Sequence, residues 1–108
     1  MNIKALRQEI DRLDRKLVTL LNRRANCSLA IGRLKQRGGL PLFIRKREQE
    51  IARNIREANR GPLPDHTLEH VFGQLLQHTR AMVRKALWAE RRAGRSKGRP
   101  LQKQHKRR

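Results

Sequence analysis

Five side chains have the type and spacing to do chemistry, and four of them are cations. The apolar positions Ile3, Leu6, Ile10, Leu13, Leu17 and Leu20 step by threes and fours, and the next step lands on Arg24. A cation on an apolar seam is costly unless it is paired or faces a polar cavity. Lys35 follows eleven residues later, on nearly the same helix face and about 16 Å along the axis, with Ser28 and Ile31 between them. Arg7 lies on the same segment, about 25 Å from Arg24 and about 100° around the axis. One small ligand cannot touch both on a single straight helix, but it can touch Arg24 of one copy and Arg7 of a second. Arg47 and Glu48 stand in a later charged stretch, RKREQE. Each group also has a plainer reading. Arg24 can lay its stem on apolar surface and its head in water, Lys35 can complement a helix C-terminus, and RKREQE can be a solvated turn. Spacing alone leaves both readings open.

Several chemistries find no support in the chain. There is no Gly-rich phosphate loop and no nucleophile–base constellation. Of the four histidines, His66, His70, His78 and His105, only His66 and His70 share a helical i,i+4 spacing, and no Cys or carboxylate cluster completes a zinc set. An enzyme built from these residues works by electrostatics and positioning on an anion, without metal or cofactor. The net charge of +19 suits small carboxylates, phosphates, nucleic acid or acidic protein. Nine Lys/Arg against one Glu follow position 88, yet the preceding residues are strongly basic too.

The elements that must position these groups are helical. The first helix is expected over about Ile3–Arg37, with its heptad seam continuing through Cys27, Ile31 and Leu34. At about 50 Å it is too long for the rest of a 108-residue monomer to cover, so a partner chain is expected on the seam. Gly38-Gly39 and Pro41 stop it, and LPLFI (40–44) forms a short apolar connector. A second helix is expected from Arg45 to Asn59, with Ile51 and Ile55 on one face. After Gly61-Pro62 and Pro64, Asp65 or Thr67 is expected to cap a third helix. Its apolar face runs from Leu68 through Val71, Phe72, Leu75, Leu76, Thr79 and Val83 to Leu87, and it is expected to end between Trp88 and Ala93. The residues after Gly94 lack periodicity and read as a disordered basic tail. The fold class is therefore all-α, three helices per chain in a homodimeric bundle, with a domain over 1–93 and a tail over 94–108. No apolar run approaches the roughly 20 residues of a membrane span. The N-terminus has no apolar signal region and the lone Cys27 has no disulfide partner, so the expected compartment is the cytoplasm.

LRQEIDRLDRKLVTLLNRR, AIGRLK, the connector with Pro41, Arg47-Glu48 and GPL…VF…LL..TR, in this order and spacing, resemble the all-helical chorismate mutases over about residues 3–87. The resemblance implies three helices per chain intertwined with a second chain. It also implies a cofactor-free Claisen rearrangement of chorismate to prephenate, a step of aromatic amino acid biosynthesis. By that resemblance, Arg24 of one chain and Arg7 of the other hold the substrate carboxylates. Lys35 reaches the ether oxygen, Arg47 supports the carboxylate clamp, and Glu48 accepts from the ring hydroxyl. Ser28, Ile31, Ile44, Ile51, Thr79 and Val83 complete the implied substrate-binding wall.

Two positions on the third helix depart from the family's Ser and Gln, being Thr79 and Val83, and Ile44 replaces a common Asp. Thr keeps a hydroxyl, but Val removes the amide that shares the ether oxygen with the lysine. Arg80 and Arg84 are the nearby candidates to compensate. The pocket could instead serve an isochorismate–pyruvate lyase or a mutase of 4-amino-4-deoxychorismate. A non-catalytic basic dimer binding nucleic acid or an acidic partner ranks lower, because the basic stretch RAMVRKALWAERRAGRSKGR of the third helix and tail carries one aromatic and no base-stacking signature.

Overall fold

The computed structural model describes residues 2–97, with helices α1 (Ile3–Arg37), α2 (Arg45–Ala58) and α3 (Asp65–Lys97) joined by two short connectors. The Asn2 side chain caps α1 by accepting from the Ala5 N–H at 2.8 Å. At the other end, the Leu40 N–H donates to the Lys35 carbonyl at 2.8 Å and the Gly39 N–H to the Gln36 carbonyl at 3.2 Å. This bond pair turns the chain through a left-handed residue, and Gly39 takes that place with φ 69°. The paired glycines thus end α1 where the sequence places its end.

The start of α3 differs from expectation, since neither Asp65 nor Thr67 caps it. The Pro64 carbonyl takes the Thr67 and Leu68 N–H groups at 3.1 and 3.2 Å, and Asp65 is already helical. Asn59 organises the turn instead. Its amide donates to the Leu63 carbonyl at 2.9 Å and to Asp65 Oδ1 at 2.7 Å, and its oxygen accepts from the Gly61 N–H at 2.9 Å. The end of α3 also differs. The helix continues beyond Ala93 and Gly94 to Lys97, so residues 94–97 are helical where disorder was expected. The stretch after Trp88 is mostly Ala, Arg and Lys with one Glu, residues that hold a helix without an apolar stripe. The Arg92 guanidinium lies 4.7 Å from the Trp88 ring centre, and Glu90 binds Arg33 of α1. The remainder of the expected tail, 98–108, lies outside the described residues.

The packing centre is small. Among the described residues only Gly32, Val83 and Leu87 are buried. They form the crossing of α1 with α3. A Cβ on Gly32 would stand 2.9 Å from Val83 Cγ1 and 3.2 Å from Leu87 Cδ1, so the absence of a side chain sets the closeness of the two helices. The Arg33–Glu90 pair, at 2.7 Å, staples the same two helices further along. Its hydrogen bonds hold the Glu90 carboxyl below its ordinary range and raise Arg33. An Arg56–Glu69 pair at 3.0 Å joins α2 to α3.

The N-terminal part of α1 has no such cover. Leu6, Ile10, Leu13, Leu17 and Leu20 are between 47% and 55% exposed. The molecule measures 66 × 35 × 15 Å. Its least dimension is little more than one helix diameter of about 10–12 Å. A single layer has no second layer against which to bury an apolar face. No helix among the described residues is long and apolar enough to cross a membrane.

Gly32→Ala sets two effects against each other. Alanine gains about 1 kcal/mol of helix propensity, while overpacking against a stiff β-branched Val83 costs about 1–3 kcal/mol. Gly32→Ala is expected to lower the unfolding midpoint. In the Val83→Ala background the same change should stabilise, because the new methyl enters vacated space. Thermal melts of the four members of this double-mutant cycle test it, and additive effects would contradict the crossing geometry.

Candidate active site

The C-terminal half of α1, the 40–44 connector, the start of α2 and the middle of α3 enclose a cleft of about 150 Å³. Arg24, Ser28, Ile31 and Lys35 line it from α1, as their near-integral turn spacing requires. Ile44, Arg47, Glu48 and Ile51 line it from the connector and α2, and Thr79 and Val83 from α3. Every residue that the sequence assigned to one chain's site therefore lines one cleft. Arg7 does not line it. The cleft also takes Gly32, Leu42, Phe43, Leu76 and Arg80. Leu76, Thr79, Arg80 and Val83 follow i, i+3, i+4, i+7 on α3, a signal that could have selected Arg80 over Arg84.

The cations rest on weak partners. The half-buried Lys35 ammonium donates to the Leu42 carbonyl at 3.4 Å. Arg47 meets Glu50 at 3.3 Å in an exposed pair within one helical turn. Arg24 is half-buried. Arg80 pairs with Glu48, joining α3 to α2 across the cleft wall. The Arg80 guanidinium is also 5.9 Å from the Phe43 ring centre, and that of Arg84 is 5.1 Å from the same ring. Four cations thus line the cleft against one acid, Glu48. Among the described residues no three His, Cys, Asp or Glu side chains gather as a ligand set for a metal.

The α3 wall is less polar than its sequence suggests. Thr79 Oγ1 donates to the Leu75 carbonyl at 2.8 Å, so its proton is engaged within the helix and its lone pairs face outward as acceptors. Val83 is 1% exposed and presses on Gly32, forming the floor of the cleft without a polar atom. The arrangement can grip a compact dianion with Arg24, Lys35 and Arg47, and can offer Glu48 to a donor on the same ligand.

Residues 6–84 match the family model described as chorismate mutase type II. The chain belongs to this family. It is 33% identical over 87 residues to a bifunctional chorismate mutase/prephenate dehydratase of Aquifex aeolicus, an alignment covering 77% of this chain and 24% of that protein. The corresponding protein of Neisseria gonorrhoeae is 36% identical over 78 residues, covering 72% and 21%. The chain thus spans about a quarter or less of the length of these bifunctional relatives. Among solved structures, a chorismate mutase from Thermus thermophilus superposes with TM-score 0.74 at 35% identity, covering 76% of this chain and 93% of that one. The all-helical chorismate mutase fold is therefore the fold of this chain, and the cleft lies in the part that the family model matches.

Thr79→Val should cost less than about 1 kcal/mol of stability, because the hydroxyl serves only its own helix. Affinity for a small dicarboxylate should change less than about threefold. Calorimetric titration with such a ligand checks this, and a large loss would mean that the hydroxyl turns to the ligand.

Proposed function

We propose that the chain is a chorismate mutase, converting chorismate to prephenate without a cofactor. The observation that carries this reading is the convergence of Arg24, Lys35, Arg47 and Glu48 on one cleft in a chain of this family. The reaction is internal to one molecule. The ether C–O bond breaks while a C–C bond forms at the far end of the enolpyruvyl group, and no proton, electron or co-reactant is needed. The catalyst must hold the dianion in its compact conformer and stabilise charge on the ether oxygen as that bond lengthens.

The resting partners of the cations suit this task. An exposed Arg–Glu pair contributes little, so a substrate carboxylate displaces Glu50 from Arg47 at small cost. The Lys35 contact to a neutral carbonyl is long, and an oxygen gaining negative charge is a better acceptor. Lys35 takes the ether oxygen, Arg24 and Arg47 take carboxylates, and Glu48 takes the ring hydroxyl. Val83 contributes no donor. The loss of one such donor costs about 3 kcal/mol, roughly a hundredfold in rate, relative to a site that has one.

The working unit in this reading is a homodimer. The bare α1 seam needs a second layer, and a second copy supplies both that layer and the Arg7 of the partner subunit. The aromatic amino acid pathway and the cytoplasm are the expected setting, supported by a Mycobacterium tuberculosis relative named intracellular chorismate mutase, 38% identical over 55 residues.

Purified protein should consume chorismate, read as loss of its ultraviolet absorbance, and Lys35→Ala should abolish this while leaving the helical circular dichroism unchanged. Isochorismate and the 4-amino analogue run in parallel. Turnover of isochorismate alone would replace the reading with the lyase, and inertness to all three would refute it.

The shared site makes a second prediction. Arg7→Ala and Arg24→Ala homodimers should each be nearly inactive, whereas co-expressed chains should recover about a quarter of wild-type activity. Half of the dimers are then mixed, and one site in each keeps both arginines. Failure to recover activity despite formation of the mixed dimer would place Arg7 outside the partner's site.

A further inference from the structure

Of the ion pairs among the described residues, Arg80–Glu48 is the one whose two members both line the cleft. It joins α3 to α2, and its arginine is the least exposed in these pairs, at 29%. Two further contacts fix it. Phe43, itself a cleft residue, supports the Arg80 guanidinium on its ring. Arg84 occupies the same ring, and its charge disfavours movement of Arg80 toward that side. The one acid that lines the cleft is Glu48, so Arg80 has one counter-ion within it. The carboxylate assigned to the ring substituent of the substrate is therefore already compensated before any ligand arrives.

This changes what the subsite reads. A lone carboxylate accepts from a hydroxyl, but it binds an ammonium better, because the charges attract. A carboxylate joined to a guanidinium offers an acceptor and a donor side by side. A hydroxyl matches both, donating to Glu48 and accepting from Arg80. An ammonium only donates, and it meets the Arg80 cation. We propose that Arg80 is a specificity-determining residue, which with Glu48 forms a donor–acceptor pair that selects a ring hydroxyl over a ring ammonium. This inference rests on the mutase reading and deepens it. The preferred substrate is the hydroxylated dianion, and the 4-amino analogue is discriminated against by charge.

The test measures kcat/KM for chorismate and for 4-amino-4-deoxychorismate below the pKa of the amine, in wild type, Arg80→Leu, Arg80→Lys and Glu48→Gln. Wild type should favour chorismate. Arg80→Leu should move the ratio of the two values toward the amino analogue by about tenfold or more, through an uncompensated carboxylate. Arg80→Lys keeps the charge and should retain most of the wild-type ratio. Glu48→Gln leaves Arg80 uncompensated and should move the ratio the opposite way. Opposite shifts from the two ends of one pair cannot arise from general damage, and Arg80→Gln, which removes the charge but keeps a polar side chain of some length, takes the place of Arg80→Leu if that variant does not fold. A ratio unmoved by Arg80→Leu, or shifted the same way by Arg80→Leu and Glu48→Gln, overturns the role of Arg80 while leaving the mutase reading intact. A wild type inert to both substrates overturns the two together.

Discussion

The close approach of α1 and α3 at Gly32 is the constraint on which the rest of the structure depends. Two helices that meet through a glycine against Val83 and Leu87 can bring side chains from both into one small volume. Ser28, Ile31 and Lys35 flank that glycine on α1, and Thr79 and Arg80 stand near Val83 on α3. A bulkier residue at the crossing would part the helices and widen the cleft before it altered any charge. Fold and site are therefore not separable here, since the deepest contact of the chain is also the floor of its cleft.

The electrostatic design follows from that closeness. Several cations held together repel one another, and a folded chain must supply each with something short of a committed partner. The structure does so with a neutral backbone carbonyl for Lys35 and an exposed glutamate for Arg47. Each is enough to keep a cation in place and too little to hold it against a dianion. Arg80 is the exception, because it meets an acid within the cleft, and in the proposed reading its effect falls on selection more than on grip.

Much of this was legible in the sequence, for identifiable reasons. The three-four spacing of α1 and its two closing glycines are local signals, and they set the length of the helix. The face shared by Arg24, Ser28, Ile31 and Lys35 follows from helical period alone, and the order of the blocks tied Arg47, Glu48 and Thr79 to the same cleft. Features that depend on contacts between elements were not legible. Gly32 reads as a weak point in a helix until α3 lies against it. Arg80 and Arg84 are equivalent in charge until Phe43 and Glu48 are in place. The expected side-chain cap of α3 is replaced by a turn that Asn59 ties together, because its amide reaches across several residues to Leu63 and Asp65. The extension of α3 past Gly94 rests on helix-forming residues with no apolar stripe, a pattern that local reading assigns to a tail.

The end of α1 has a consequence of its own. The Lys35 carbonyl receives the Leu40 N–H, and the Lys35 ammonium meets the Leu42 carbonyl, so one residue fastens the connector at both its main chain and its side chain. The path from 35 to 42 is thus closed by two contacts of one residue. An inserted or deleted residue there would detach the ammonium from its rest position even if every helix survived. The turn at 59–65 has no such tie to the cleft, so changes in chain length along this lineage should collect there and spare the first connector.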